Sequence, residues 1–119
     1  MKKRIASVLL ALMFVILPLT VAFAAEQSEI DALRGTKLYV YNWGEYISDG
    51  ADDTVDVNQA FEEKYGIDVV YDTYDNNEVM YSKLKSGGVS YDIVIPSDYM
   101  IQRMIAEDML QPVDFENIP

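Results

Sequence analysis

Between Lys37 and Ile105 the sequence passes from a strand pattern to a helix pattern three times, and this alternation limits the fold more than any other feature. Leu38, Tyr39, Val40 and Tyr41 are strand formers in a row, so the first strand runs roughly from Lys37 to Asn42. The acidic loop SDGADDT leads to a helix from about Val55 to Tyr65. Val57, Ala60 and Phe61 mark its apolar face at i, i+3, i+4, and Gly66 stops it. The second strand spans about Ile67 to Tyr74. Asp75 then reads as the N-cap of a second helix, with Glu78 reaching back to complete a capping box. That helix buries Val79, Met80 and Leu84, and Gly87-Gly88 ends it near Ser86. The third strand, Asp92 to Pro96, contains the unbroken apolar run Ile93-Val94-Ile95, which suits a central strand covered on both faces. Ser97 caps a third helix with Met100, Ile101, Met104 and Ile105 on one side, and LQPVDFENIP reads as loop or a short edge strand. Repeated β and α units with right-handed crossovers give an α/β fold: a doubly wound, mostly parallel sheet. About 95 residues can close only a modest core, and no closing pattern follows the last element.

The residues before this unit are of another kind. Lys2, Lys3 and Arg4 precede an apolar run from Ile5 to about Val21, and Ala22-Phe23-Ala24 has the small-x-small form of a cleavage site. Residues 1–24 are therefore expected to be a signal peptide and 25–36 a polar lead-in. Residues 37–119 would be the folded part, outside the cytoplasm. The same run is long enough to span a bilayer if it is not cut. The part from Ala25 onward keeps only Arg34, Lys37, Lys64, Lys83, Lys85 and Arg103 as bases but all twenty acids. Nucleic acid and anionic membrane surfaces are poor partners for such a chain, and a cationic partner is favoured. The chain has neither cysteine nor histidine. Disulfides, a lipid-bearing cysteine, Ser-His-Asp and Cys-His nucleophiles and the commonest zinc ligands are thereby excluded. No enzyme constellation is legible and no cofactor is expected. Asp49, Asp52, Asp53 and Asp56 lack the spacing of a calcium loop.

In open α/β sheets, ligands bind beyond the carboxyl ends of the strands, where the strand order reverses. Those ends carry Asn42-Trp43-Gly44-Glu45-Tyr46, Asp75-Asn76-Asn77-Glu78 and Pro96-Ser97-Asp98-Tyr99. If the order is 2-1-3, then Trp43, Glu45, Tyr46, Ser97 and Tyr99 share one crevice edge. An alkylammonium needs carboxylates for its charge, hydroxyls for its remaining N–H groups and flat rings for its methylenes. Trp43 and Tyr46 suit the rings, Glu45 the charge, and Ser97 and Tyr99 the polar contacts. Helix N-termini at this edge favour anions. Full carboxylates at Glu45, Asp49, Asp52, Asp53 and Asp98 outweigh those half charges, and none of these loops holds a basic residue. Plainer roles stand beside these. Trp43 can pack under the first helix, Glu45 and Asp98 can be solvated acids, Ser97 can be an N-cap, and Tyr99 can lie on a helix surface. Asp75 and Glu78 are assigned to capping.

On these residues the chain resembles the start of the spermidine/putrescine-binding proteins of bacterial ABC importers. LYVYNWGEYI and the stretch FEEKYGIDVV…QPVD carry the resemblance from Lys37 to Asp114. Its motifs are YNW-x-x-Y, D-x-N-E-x-M-Y-x-K-L and YDIVIPSDY. The resemblance implies the first lobe of a two-lobed type II periplasmic binding protein that closes on a polyamine and delivers it to a membrane permease. It implies aromatic cleft walls at Trp43 and Tyr46, an acidic contact at Glu45, and polar and ring contacts at Ser97 and Tyr99. Gly44 stands where a small hydroxyl residue is common. The segment ISDGADDTVDVNQAF is longer than usual, and the chain stops at Pro119, short of a second lobe. The sequence thus reads as an N-terminal fragment expected to bind polyamine weakly or not at all by itself. The competing readings are the same fold serving another small solute, and a membrane-anchored acidic interaction domain.

Overall fold

The computed structural model describes residues 27–117, so the expected signal peptide lies outside the described residues. A helical turn at 27–32 precedes the sheet. The elements then follow as β1 (Lys37–Trp43), α1 (Val57–Tyr65), β2 (Asp68–Tyr74), α2 (Asn77–Lys85), β3 (Ile93–Val94) and α3 (Asp98–Ala106). The strands are parallel in the order β2-β1-β3, as the 2-1-3 reading requires. The first crossover steps one way from β1 and the second steps back past it, so right-handed connections put α1 and α2 on opposite faces. Lys37 to Trp43 pair one for one with Asp68 to Tyr74, and Val40 and Tyr41 pair with Ile93 and Val94.

Side-chain alternation makes β1 the organiser. Tyr41 and Trp43 point to one face with Tyr74 across the ladder. The core there consists of Tyr41, Tyr74, Met80, Tyr81, Met100 and Met104, with Trp43, Leu84, Tyr91 and Val94 packed against it. The apolar residues of α1 are less covered: Val57 is 45% exposed and Phe61 half-buried. In α2 the buried residues are Asn77, Met80 and Tyr81, while Val79 is exposed. Helical period alone points to Val79, but at the start of α2 it faces away from the sheet.

Among the described residues the third strand is shorter than expected and stands outermost, with β1 as its one neighbour. Ile93 is 45% exposed. The pairing is extended by other means. Asp92 N–H donates to Tyr39 O at 2.9 Å, Ile95 N–H to Tyr41 O at 3.2 Å, and Tyr39 N–H to Asp92 Oδ2 at 2.8 Å. A side-chain oxygen thus extends the ladder before the strand begins, and past its other end Pro96 offers no N–H. Beside this edge lies a groove of about 660 Å³ lined by Leu84, Val89, Ile93, Val94, Met104 and Leu110, among others.

Caps explain the helix boundaries. Asp56 accepts from Gln59 N–H at 2.9 Å and starts α1 two residues later than the pattern indicates. Gly66, at φ 69°, ends it in the left-handed region. Asn76, not Asp75, caps α2, accepting from Glu78 N–H at 2.8 Å and Val79 N–H at 3.1 Å. The helix begins one residue later, so Glu78 sits at the second helical position and makes no capping box. Its carboxylate turns elsewhere. Ser97 holds the N-cap position of α3, but its side chain makes no capping bond.

A polar cluster joins the ends of α2 and α3. Glu107 accepts from the Lys85 ammonium, from Tyr81 OH at 2.6 Å and from Arg103 Nε at 3.2 Å. The Lys85 ammonium, then the Tyr81 hydroxyl, hold the Glu107 carboxyl down at about 2. Unfolding returns it to the ordinary range near 4.5. Its contribution is therefore complete above the unfolded value and is lost as pH falls from about 4.5 to about 2. Thermal melts from pH 7 to pH 2 should show wild type losing its advantage over Glu107→Gln within that window. In urea melts Met80→Ala, at a fully buried position, should cost about 2–5 kcal/mol. Val57→Ala should stay within about 0.5 kcal/mol.

Candidate functional site

Three loops meet at the carboxyl edge of the sheet, and the switch point falls between β1 and β3. Asn42 is buried and anchors the first loop. Its amide donates to Tyr71 OH at 2.8 Å, and its carbonyl accepts Trp43 N–H at 2.7 Å. Trp43, half-buried at the end of β1, lays its indole 4.7 Å from the Tyr74 ring and 6.1 Å from Tyr46. It thus lies over the Tyr41–Tyr74 core, where its flat face forms the boundary between core and site. Tyr46 is 67% exposed and Glu45 is exposed beside it. A Cβ on Gly44 would stand 3.6 Å from Asp75 Oδ1, so a carboxylate of the second loop lies against the first.

The second and third loops are bolted together by Asn77. This buried residue donates from Nδ2 to Ser97 Oγ at 3.0 Å and accepts Ser97 N–H on Oδ1 at 3.2 Å. On the next residue, Asp98, Oδ1 accepts Tyr99 N–H at 2.7 Å. Tyr99 is half exposed, and its hydroxyl donates to Glu78 Oε1 at 2.9 Å. That bond is the first cause of the upward displacement of the Tyr99 phenol's pKa. Beneath the edge, Tyr74 OH donates to Ile95 O at 2.5 Å. Its pKa is pushed up to about 12, first by burial and then by the phenols of Tyr41, Tyr46 and Tyr99.

The six expected site residues fall into two groups by loop. Trp43, Gly44, Glu45 and Tyr46 follow β1, with Trp43 against Tyr74 and Tyr46. Ser97 and Tyr99 follow β3 and are held to the second loop by Asn77 and Glu78. Sequence reasoning missed Asn42, Tyr74, Asn77 and the placement of Asp75 and Glu78. A polar residue inside an apolar element was the available sign for Asn42 and Asn77. Trp43 does not pack under α1; it packs on the opposite face. The longer acidic segment is a closed loop, pinned at its base by the Asp49–Asp56 bridge and by Val57 N–H on Ser48 O at 3.2 Å. Among the described residues, no group of three acids is arranged to hold a metal ion, and no helix is long and apolar enough to cross a membrane.

A parallel, doubly wound sheet with aromatic and acidic loops along its carboxyl edge is the layout of a lobe of a two-lobed binding protein. The chain belongs to the family described as hypothetical lipoprotein (MG045 family), whose model matches residues 2–118. None of its 119 residues is a cysteine that could carry a lipid. Among curated proteins it is 42% identical over 82 residues to the putrescine-binding periplasmic protein PotF of Escherichia coli, covering 69% of this chain and 20% of that one. It is 39% identical over 94 residues to the spermidine/putrescine-binding periplasmic protein of Salmonella typhimurium, covering 78% of this chain and 25% of that one. Among solved structures it resembles the spermidine/putrescine ABC transporter substrate-binding protein PotD of Streptococcus pneumoniae. The TM-score is 0.64 at 47% identity, over 71% of this chain and 24% of that one. The chain thus spans a fifth to a quarter of the length of the proteins it matches.

Replacing Tyr74 by Phe leaves the Ile95 carbonyl without its hydroxyl partner. Urea denaturation should show a loss of about 1–3 kcal/mol. Trp43 emission should shift to the red as the ring beneath it loosens.

Proposed function

We propose that this chain forms the polyamine-recognising edge of an extracytoplasmic solute-binding protein that serves an ABC importer. The observation that carries this reading is the pairing of rings and carboxylates along the carboxyl edge of the sheet, Trp43 with Tyr46 and Tyr74, Asp75 against Gly44, and Tyr99 with Glu78, in loops without a basic residue. Rings offer faces to methylenes and cations, and carboxylates offer charge to ammonium groups. The names of the relatives, putrescine- and spermidine/putrescine-binding periplasmic proteins, supply the ligand class and the compartment. Binding and delivery to a permease, not catalysis, is the role assigned. Trp43 and Tyr46 would flank the methylenes. Glu45 and Asp75 would face the ammonium groups, while Gly44 lets the Asp75 carboxylate approach the first loop. Ser97 and Tyr99 would take the remaining N–H donors.

The site stands along one open edge, with Tyr46 largely and Tyr99 half exposed. Tight small-molecule sites bury most of their ligand, so affinity here is expected in the millimolar range. Trp43 is the single tryptophan, so its indole N–H resonance reports on this site alone. Titration with putrescine or spermidine should shift that resonance saturably, and 1,4-butanediol of the same length should leave it in place. Equal shifts with diamine and diol, or none with either, would contradict the reading.

A further inference from the structure

The bond between Tyr99 and Glu78 has a direction, and the direction has a chemical consequence. Both side chains are at the surface, yet each commits its polar end to the other at 2.9 Å. Their pairing is fixed from behind. Asn76 holds Glu78 N–H and Val79 N–H, and the next residue, Asn77, is bonded twice to Ser97, two positions before Tyr99. Glu78 therefore meets Tyr99 in a register set by buried and capping bonds, not by the two side chains themselves.

We propose that Glu78 is a specificity-determining positioning residue that, by accepting the hydrogen bond of the Tyr99 hydroxyl, makes the phenol oxygen an obligate acceptor for an alkylammonium. An ionised carboxylate only accepts, so the phenol donates its one proton to it. The oxygen, on which the Asn77 amide also bears, then has only its remaining acceptor capacity to present to the site, and the charge behind it strengthens that capacity. An alkylammonium carries donors only, so it fits this arrangement. An anionic solute carries acceptors only and finds no proton there. The inference rests on the polyamine reading and deepens it: recognition by Tyr99 is tuned through Glu78, without Glu78 touching the ligand.

The test is a set of variants of the full chain, read by the Trp43 indole resonance during putrescine titration. Tyr99→Phe and Glu78→Ala should each weaken binding about tenfold, the range of one charge-assisted hydrogen bond. The double variant should bind no more weakly than Tyr99→Phe. Glu78→Gln keeps a carbonyl that accepts the hydroxyl and should stay within about threefold of wild type. In Glu78→Ala the Tyr99 phenol, followed by its ring carbon resonance, should titrate closer to its ordinary value. Wild-type binding by Tyr99→Phe or Glu78→Ala would overturn the inference. So would additive losses in the double variant, or a Glu78→Gln as weak as Glu78→Ala, since Glu78 would then act on the ligand by charge. A wild-type chain that ignores putrescine would overturn the polyamine reading and this inference together. A wild type that binds while Glu78→Ala binds equally well would overturn this inference alone.

Discussion

The hydrogen bond from Tyr74 OH to the Ile95 carbonyl joins the parts of the structure that the backbone holds weakly. β3 pairs with β1 over only two residues, whereas β2 pairs over seven. Tyr74 sits on β2 and reaches across β1 to the end of β3, so one side chain spans the whole sheet at its carboxyl edge. Its ring is buried with Met80, Met100 and Met104, and Trp43 lies on it. Core packing, strand order and the site are therefore coupled through one phenol. A buried hydroxyl without a partner would be costly, and a carbonyl beyond the end of a short strand needs a donor. Each solves the other's problem.

Asn77 and Asn42 do for the loops what Tyr74 does for the strands. Buried amides must find partners, and both find them in loop backbone or in a residue of a neighbouring element. The second and third loops are thereby tied directly to each other, and the start of the first is tied to β2. Rigid support beneath exposed groups lowers the ordering cost of any binding there.

Much of this was legible in the sequence, for identifiable reasons. The alternation of patterns fixes three strands and three helices, and 2-1-3 order puts the Trp43 and Tyr99 loops on either side of the switch. The misses share a cause. Periodicity identifies apolar faces but not how much of each face meets a partner, so Val57, Val79 and Ile93 read as covered and are exposed. An apolar run such as Ile93-Val94-Ile95 has the same pattern at an edge as at the centre. The cap of α2 is displaced by one residue, from Asp75 to Asn76, because either side chain can accept the same N–H groups. That single step moves Glu78 from a capping box to Tyr99. It changes a residue with a local role into one facing the site.

The fold also shows how it treats an ammonium of its own. On the same face as Trp43, two residues earlier along β1, Lys83 Nζ lies 4.5 Å from the Tyr41 ring centroid. It donates to Tyr91 OH at 2.6 Å and to Asp72 Oδ2 at 3.4 Å. Tyr91 in turn stacks on Tyr41 at 4.6 Å and donates its hydroxyl hydrogen bond to Asp72. A ring face, a phenol and a carboxylate that accepts from the phenol thus flank one ammonium. Trp43, Tyr99 and Glu78 repeat those three kinds of group further along the strand direction, at the edge. The Lys83 ammonium comes from α2 and stays partly exposed. The edge loops contain no base of their own, so these loops supply no cation to their rings, phenol and carboxylates. Under the proposed function an alkylammonium would take that place.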